Sequence, residues 1–433
     1  AAATCTSTSS AGRTAPAGAG TGRRMRRRIA LFVAVLGPGL IAGLSDDDPA
    51  GITTYAVMGA DHGYALLWVL VVATGMLVLY HLLGVRIGVA TGQGMIGLVR
   101  ERYGVRIGGA ILACLLVANL GTLAAEYAGI AAALGLVGVP RAVSAPAAAI
   151  IISTLVVRSS FHLVERVLLA LGALLAAYVL SGLLAGPDYG ATLHGLMVPG
   201  TSGHEGALIT AVAVVGTTIA PWGLSFIQSY AVDKRIKEDE LRAEDVDIVS
   251  GAVLTGVIGL FVIVACAATL HATGHSIEDA ADAAIALEPL AGGLASTLFG
   301  VGLLAAGTLA AAVVALSSGY SMAEAMGTEA RVDEGLREAP LFYGTFLVMT
   351  ALAALLVALP FVPLLPILFL SQVLNAILLV PILVALARIG GDTRLMGVLA
   401  VGSTQRVLLW ASAIGLGATS AVLIATLLWG LVA

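Results

Sequence analysis

Apolar runs of eighteen or more residues recur from residue 29 to the end of the chain, separated by short stretches that hold most of the charge. Each run can cross about 30 Å of hydrocarbon as a helix. Hydropathy predicts eleven spans, near 29–60, 65–87, 106–135, 142–157, 163–184, 205–231, 247–271, 293–325, 341–360, 364–387 and 406–432. The pattern is that of an all-α polytopic membrane protein.

Composition agrees. Hydrophobic residues make up 59% of the 433, charged residues 11%, and mean hydropathy is +1.01. A soluble domain is nearer a quarter charged. The 53 glycines suit membrane helices that approach closely or break. Cys5, Cys114 and Cys266 have no metal-binding spacing, and two lie inside apolar runs, so inert thiols are expected. Residues 1–22 are rich in Ala, Gly, Ser and Thr, and with Arg23 to Arg28 they read as a disordered, basic cytoplasmic tail over 1–28. The run after these arginines ends in three acids rather than a small-residue cleavage site, which argues for a first span and against a signal peptide.

Charge then orients the chain. Eleven spans put the termini on opposite sides. With the N-terminus cytoplasmic and the C-terminus outside, 21 of the 22 basic residues fall on inner segments and only Arg141 falls outside. The outer connections hold Asp61, Asp188, Glu205, Glu278, Asp279, Asp282 and Glu288. These acids either concentrate cations at a pore mouth or simply mark solvated loops.

Five spans in each half make residues 29–184 and 205–387 topologically inverted, with an eleventh helix over 406–433. The first span contains Pro49-Ala50-Gly51 and the sixth Pro221-Trp222-Gly223, at matching mid-span positions. Proline removes a donor and glycine relaxes the chain, so both helices should unwind there and free carbonyls as cation ligands. Paired breaks in inverted halves point to a transport site; the alternative is two ordinary proline kinks.

Asp46, Asp47 and Asp48 precede the first break. A carboxylate at mid-span costs about 2.5–3.5 kcal/mol, so these acids must face water or a cation, or be partly protonated. Carboxylates with freed carbonyls make an all-oxygen site, suited to Mg2+ or Ca2+. No Met, Cys or His flanks Ala220 at the second break, which removes the soft ligands that favour Mn2+ or Fe2+. Glu126 is a lone mid-span carboxylate, a candidate for the ion path or for a neighbouring helix. Gln372 and Asn375 offer amide oxygens or an interhelical hydrogen bond. His62, His194, His204, His271 and His275 lie at outer span ends and read as boundary residues; His81 and His162 suggest nothing specific.

Gly37-Pro38-Gly39, Asp48-Pro49-Ala50-Gly51, Thr217 to Pro221 and Leu370-Ser371-Gln372 together resemble the Nramp family of divalent-metal transporters, from about residue 29 onward. The resemblance implies the LeuT-type fold: two inverted five-helix repeats plus an additional helix. The family's Asp-Pro-Gly-Asn keeps its aspartate as Asp48, but the asparagine position is Gly51. Its Met-Pro-His is Ala220-Pro221-Trp222, and an acidic position of span three is Leu123, while Glu126 is retained.

These departures are similar to those of the Nramp-related magnesium transporters of bacteria, whose site is wider and takes a largely hydrated ion. The resemblance implies Asp48 as anchor, carbonyls of Ser45 and Thr217 as ligands, space left by Gly51 and Ala220, and Gln372 from the tenth span. Asp46 and Asp47 are expected to hold the ion's water shell. The chain is thus expected to take up Mg2+ across a bacterial inner membrane by alternating access, without proton coupling, since Trp222 and Leu123 stand at relay positions. Mn2+ is a second candidate ion. No cofactor, no enzymatic activity and no nucleic-acid partner are expected; a monomer in the bilayer suffices. The alternatives are a proton-coupled Mn2+/Fe2+ transporter and a Na+-coupled organic-solute carrier. An intramembrane protease would need paired aspartates on separate helices or HExxH, and neither motif is present.

Overall fold

Proline and glycine set helix ends that the apolar pattern leaves open. Pro49, Pro221 and Pro340 each stand in the first turn of a helix, where the missing N–H costs nothing. Gly92 and Gly327 close two long helices in the left-handed conformation, at φ 65° and 73°. The computed structural model describes residues 47–158, 176–201, 206–277, 280–285, 292–328 and 336–432. Ser45, Asp46, the 1–28 tail, most of the fifth span, His162 and His204 lie outside the described residues.

In chain order the described helices are α1 (Pro49–His62), α2 (Leu67–Thr91), α3 (Met95–Tyr103), α4 (Val105–Gly135), α5 (Arg141–Arg158) and α6 (Ala176–Leu184). There follow α7 (Tyr189–Met197), α8 (Ala207–Thr218), α9 (Pro221–Asp233), α10 (Leu241–Cys266, continued by a π-helical turn Ala267–His271) and α11 (Ala280–Ile285). The chain ends with α12 (Ala295–Met326), α13 (Pro340–Ala358), α14 (Leu364–Gly390), α15 (Thr393–Met396) and α16 (Ser403–Val432). Among the described residues eight helical stretches are long and apolar enough to cross a membrane, with α8 and α9 together forming one of them. They match the second, third and sixth to eleventh predicted spans. The other three correspond to α1, α5 and α6.

The centre of the bundle is α4 packed between α12 and α14. Pro49 sits in a notch cut into this centre. A Cβ on Gly129 of α4 would lie 2.2 Å from Pro49 Cβ, and one on Gly307 of α12 would lie 3.1 Å from Pro49 Cγ. The start of α1 is thereby fixed against α4 and α12. Arg141, the basic residue that departs from the charge alternation, donates to the carbonyls of Val362 (2.5 Å) and Pro360, just beyond the end of α13. It acts as a cap on a neighbouring chain end.

Candidate transport site

The predicted break of the sixth span is present. Helix α8 ends at Thr218, and Ile219 (φ −124°, ψ 80°) and the extended Ala220 (φ −79°, ψ 142°) are non-helical before α9 restarts at Pro221. The Ile219 N–H returns to the Val215 carbonyl (2.9 Å), so the carbonyls of Gly216, Thr217 and Thr218 sit at a helix end without a following turn to pair them. The hydroxyl of Thr217 is buried and has no hydrogen-bond partner among the described residues. At the predicted first break, α1 starts at Pro49, and Asp48 before it is extended (φ −77°, ψ 169°), its side chain capping α1 by accepting from the Gly51 N–H. Its carbonyl accepts from Ile52 (2.8 Å). Asp47 and Asp48 are both buried.

The notch that seats Pro49 also sets the site's electrostatics. Gly129 is one turn from Glu126 on α4, and the Glu126 carboxyl faces that of Asp48. Glu126 is fully buried, and no N–H or hydroxyl donor satisfies it among the described residues. Two buried carboxylates side by side repel unless a proton or a cation lies with them. Leu123, also buried, adds no charge.

The two breaks are joined by Tyr55, whose hydroxyl hydrogen-bonds Thr218 Oγ1 at 2.9 Å. Helix α14 closes on α8 at Gly216, where a Cβ would stand 2.0 Å from the Gln372 carbonyl oxygen. The Gln372 side chain lies in a polar cluster: Asn375 Nδ2 donates to Gln372 Oε1 (2.9 Å) and to Thr122 Oγ1 (2.9 Å), and Gln372 Nε2 donates to Ser371 Oγ (3.1 Å). Asn375 thus makes the interhelical bond, to α4. Gln372 stays within α14, one amide-oxygen lone pair already engaged.

Ala220 presents only a methyl group at the start of α9, and Trp222 is fully buried, its carbonyl accepting from Ser317 Oγ at 2.9 Å. Sequence reading missed Thr122, Tyr55 and Asn119, the last donating to Ser318 at 2.9 Å. Their signal was a polar residue at every third or fourth position of apolar helices. Among the described residues no three His, Cys, Asp or Glu side chains converge as a metal cluster. Backbone and hydroxyl oxygens would have to complete any ligand set around Asp48.

The Natural resistance-associated macrophage protein-like family, Nramp, matches residues 39–426. This chain belongs to the Nramp family. A divalent metal cation transporter MntH of Yersinia enterocolitica is 30% identical over 68% of this chain and 73% of its own length. The MntH of Yersinia pestis is 29% identical over 89% of this chain and 93% of its own length. In fold, the Eremococcus coleocola manganese transporter superposes with a TM-score of 0.75 at 19% identity, covering 95% of this chain and 89% of that one. MhsT, solved with L-phenylalanine, superposes at 0.59 and 15% identity over 89% and 97%. The Nramp protein therefore has the LeuT-type arrangement of inverted five-helix repeats expected above, and it is a multi-pass membrane transporter rather than an enzyme.

Proposed function

We propose that this Nramp protein takes up a divalent cation across a bacterial inner membrane by alternating access, with Mg2+ preferred over Mn2+ or Fe2+ and without proton coupling. The observation that carries the reading is the chemistry of the paired break: Asp48, the exposed carbonyl end of α8 and the Thr217 hydroxyl supply oxygen, while Ala220 supplies no sulfur. Mg2+ sheds water reluctantly and is held through a few carboxylate contacts plus its own waters. Gly51 and Ala220 leave room for that shell, and Asp46, Asp47 and the carbonyl of Ser45 are placed by the sequence to bind it. Gln372 contributes through its remaining lone pair. Glu126, facing Asp48, adds a further carboxyl group to the ion path, with Asn375 linking α14 to α4 beside it.

Residues 29–184 and 205–387 are taken as the two rearranging halves, with the N-terminus cytoplasmic and the C-terminus outside. A divalent cation gains about 4.6 kcal/mol per 100 mV of inside-negative potential, twice the single-charge value, which alone can drive influx. Trp222 and Leu123 provide no proton relay.

Flux into proteoliposomes carrying a pH-sensitive dye tests the coupling: Mg2+ entry without acidification is expected, and entry with stoichiometric acidification would overturn it. The relatives named for manganese and for divalent metal cations support a second reading, proton-coupled Mn2+ uptake. Mn2+ influx indifferent to millimolar Mg2+ would favour it.

A further inference from the structure

The two halves of the broken helix are held differently: α9 packs on α2, and side-chain hydrogen bonds tie it along its length to α12. Ser317 of α12 donates to the Trp222 carbonyl (2.9 Å), Ser225 pairs with Ser321 (2.7 Å), Ser229 donates to Glu324, and Tyr320 donates to Asp233 (3.0 Å). The α9 positions 222, 225, 229 and 233 follow one another at helical spacing, so one face of α9 meets α12 in a polar link at every turn. Glu324 differs from the other members because it holds two elements. Besides Ser229 it accepts the N–H of Ile96 (3.0 Å) and that of Gly97, in the first turn of α3. The fit is close: a Cβ on Gly94 would overlap the Glu324 carboxylate. A cavity of about 510 Å³ opens beside the seam, lined by Gly94, Ser229, Asp233, Tyr320 and Glu324.

We propose that Glu324 is the positioning residue of the gate on this side of the transport site, latching α9 and α3 to α12 so that the two release together. Helix α9 begins at a non-helical linker, so it can pivot at Ile219–Ala220 without bending a continuous helix. The seam must part for it to do so. Two of its four links are hydroxyl bonds to neutral acceptors, each worth little net, whereas the two to carboxylates, at Glu324 and Asp233, are roughly twice as strong. Both carboxylate links sit beside the cavity, in the half of α9 away from the break where leverage on the pivot is greatest, and of the two acids Glu324 also holds α3. This inference rests on the transporter reading only for what the gate admits.

Hydrogen exchange of the full chain in lipid nanodiscs tests it without any flux measurement. In Glu324→Ala, amides of residues 225–236 and 95–99 should exchange faster by about tenfold or more, the factor implied by losing a charge-assisted bond, with 207–218 unchanged. Ser229→Ala should accelerate 225–236 and leave 95–99 protected. Acceleration confined to 95–99 in Glu324→Ala, or no change at 225–236 in Ser229→Ala, would overturn the latch and reduce Glu324 to a helix cap. Uniform acceleration along the chain in both variants would also overturn it. A wild type that moves no cation would defeat the transport reading and leave this test standing.

Discussion

Helices α8 and α9 come from one predicted span, share one apolar character and are parted by two non-helical residues, yet they are held by different means. Helix α8 is held by shape: Gly216 lets it lie against the backbone of α14, and its hydrogen bonds reach α1 through Tyr55–Thr218 (2.9 Å) and His62–Thr210 (3.1 Å). Helix α9 also packs closely, on α2 at Gly84 and Gly88, but its tie to α12 is a polar seam, and Gln228 donates to the Gln93 carbonyl (3.0 Å) at the α2–α3 connection. Close backbone packing is stiff, because a densely packed contact resists small displacements. A row of hydroxyl bonds can be exchanged for water one at a time. In the proposed gate, the break therefore parts a half fixed around the site from a half whose tie to α12 can be exchanged for water.

The largest expected effect breaks the rigid half. Gly216→Ala would put a methyl 2.0 Å from the Gln372 carbonyl oxygen and 2.7 Å from the Ala376 nitrogen, with backbone on the far side that cannot turn away. A loss of about 3 kcal/mol, the upper end for overpacking, is expected as a lowered melting temperature in detergent. Gly88→Ala on the α9 side meets the Gln228 carbonyl at 2.9 Å and should cost clearly less. Equal losses at the two positions would remove the contrast.

Between the halves, Ala220→Met would place a thioether at the break. It should shift the Mn2+-to-Mg2+ preference by about tenfold toward Mn2+ in competition flux, since soft ligands select the later metal. An unchanged ratio would detach Ala220 from selection.

The smallest effects come from single hydroxyls. Tyr55→Phe deletes a bond between neutral hydroxyls, worth about 1 kcal/mol, and Tyr320→Phe one to the Asp233 carboxylate, worth about 2 kcal/mol. The first should lower thermal stability, and the second should speed hydrogen exchange at 230–236 with less change in melting. The reverse assignment would contradict the division of labour.

Much of this contrast was legible in the chain. Pro221 and Gly223 in an apolar run mark the break because proline cannot continue a helix from the preceding turn, whereas the capping of α1 by Asp48 emerged only in the structure. The pairing of Glu126 with Asp48 was not legible. It depends on Pro49 settling into the notch at Gly129 and Gly307, a contact between residues far apart in sequence. The seam was also hidden, since serines in an alanine-rich helix are common, and only their facing positions on α9 and α12 give them meaning. Helix α3 lies between the second and third predicted spans, where no element was predicted, and glycines bracket it at both ends. Its first-turn N–H groups are satisfied by Glu324, far along the chain.

The central claim is that an oxygen-only break anchored by Asp48 moves Mg2+ with much of its water. Mg2+ influx into proteoliposomes under an inside-negative potential, compared between wild type and Asp48→Ala, tests it most directly. The wild type should accumulate Mg2+, and the variant's rate should fall by about a hundredfold, as expected when a charged partner is removed from a buried site. Wild-type vesicles that accumulate Mn2+ while Mg2+ neither enters nor competes would contradict it.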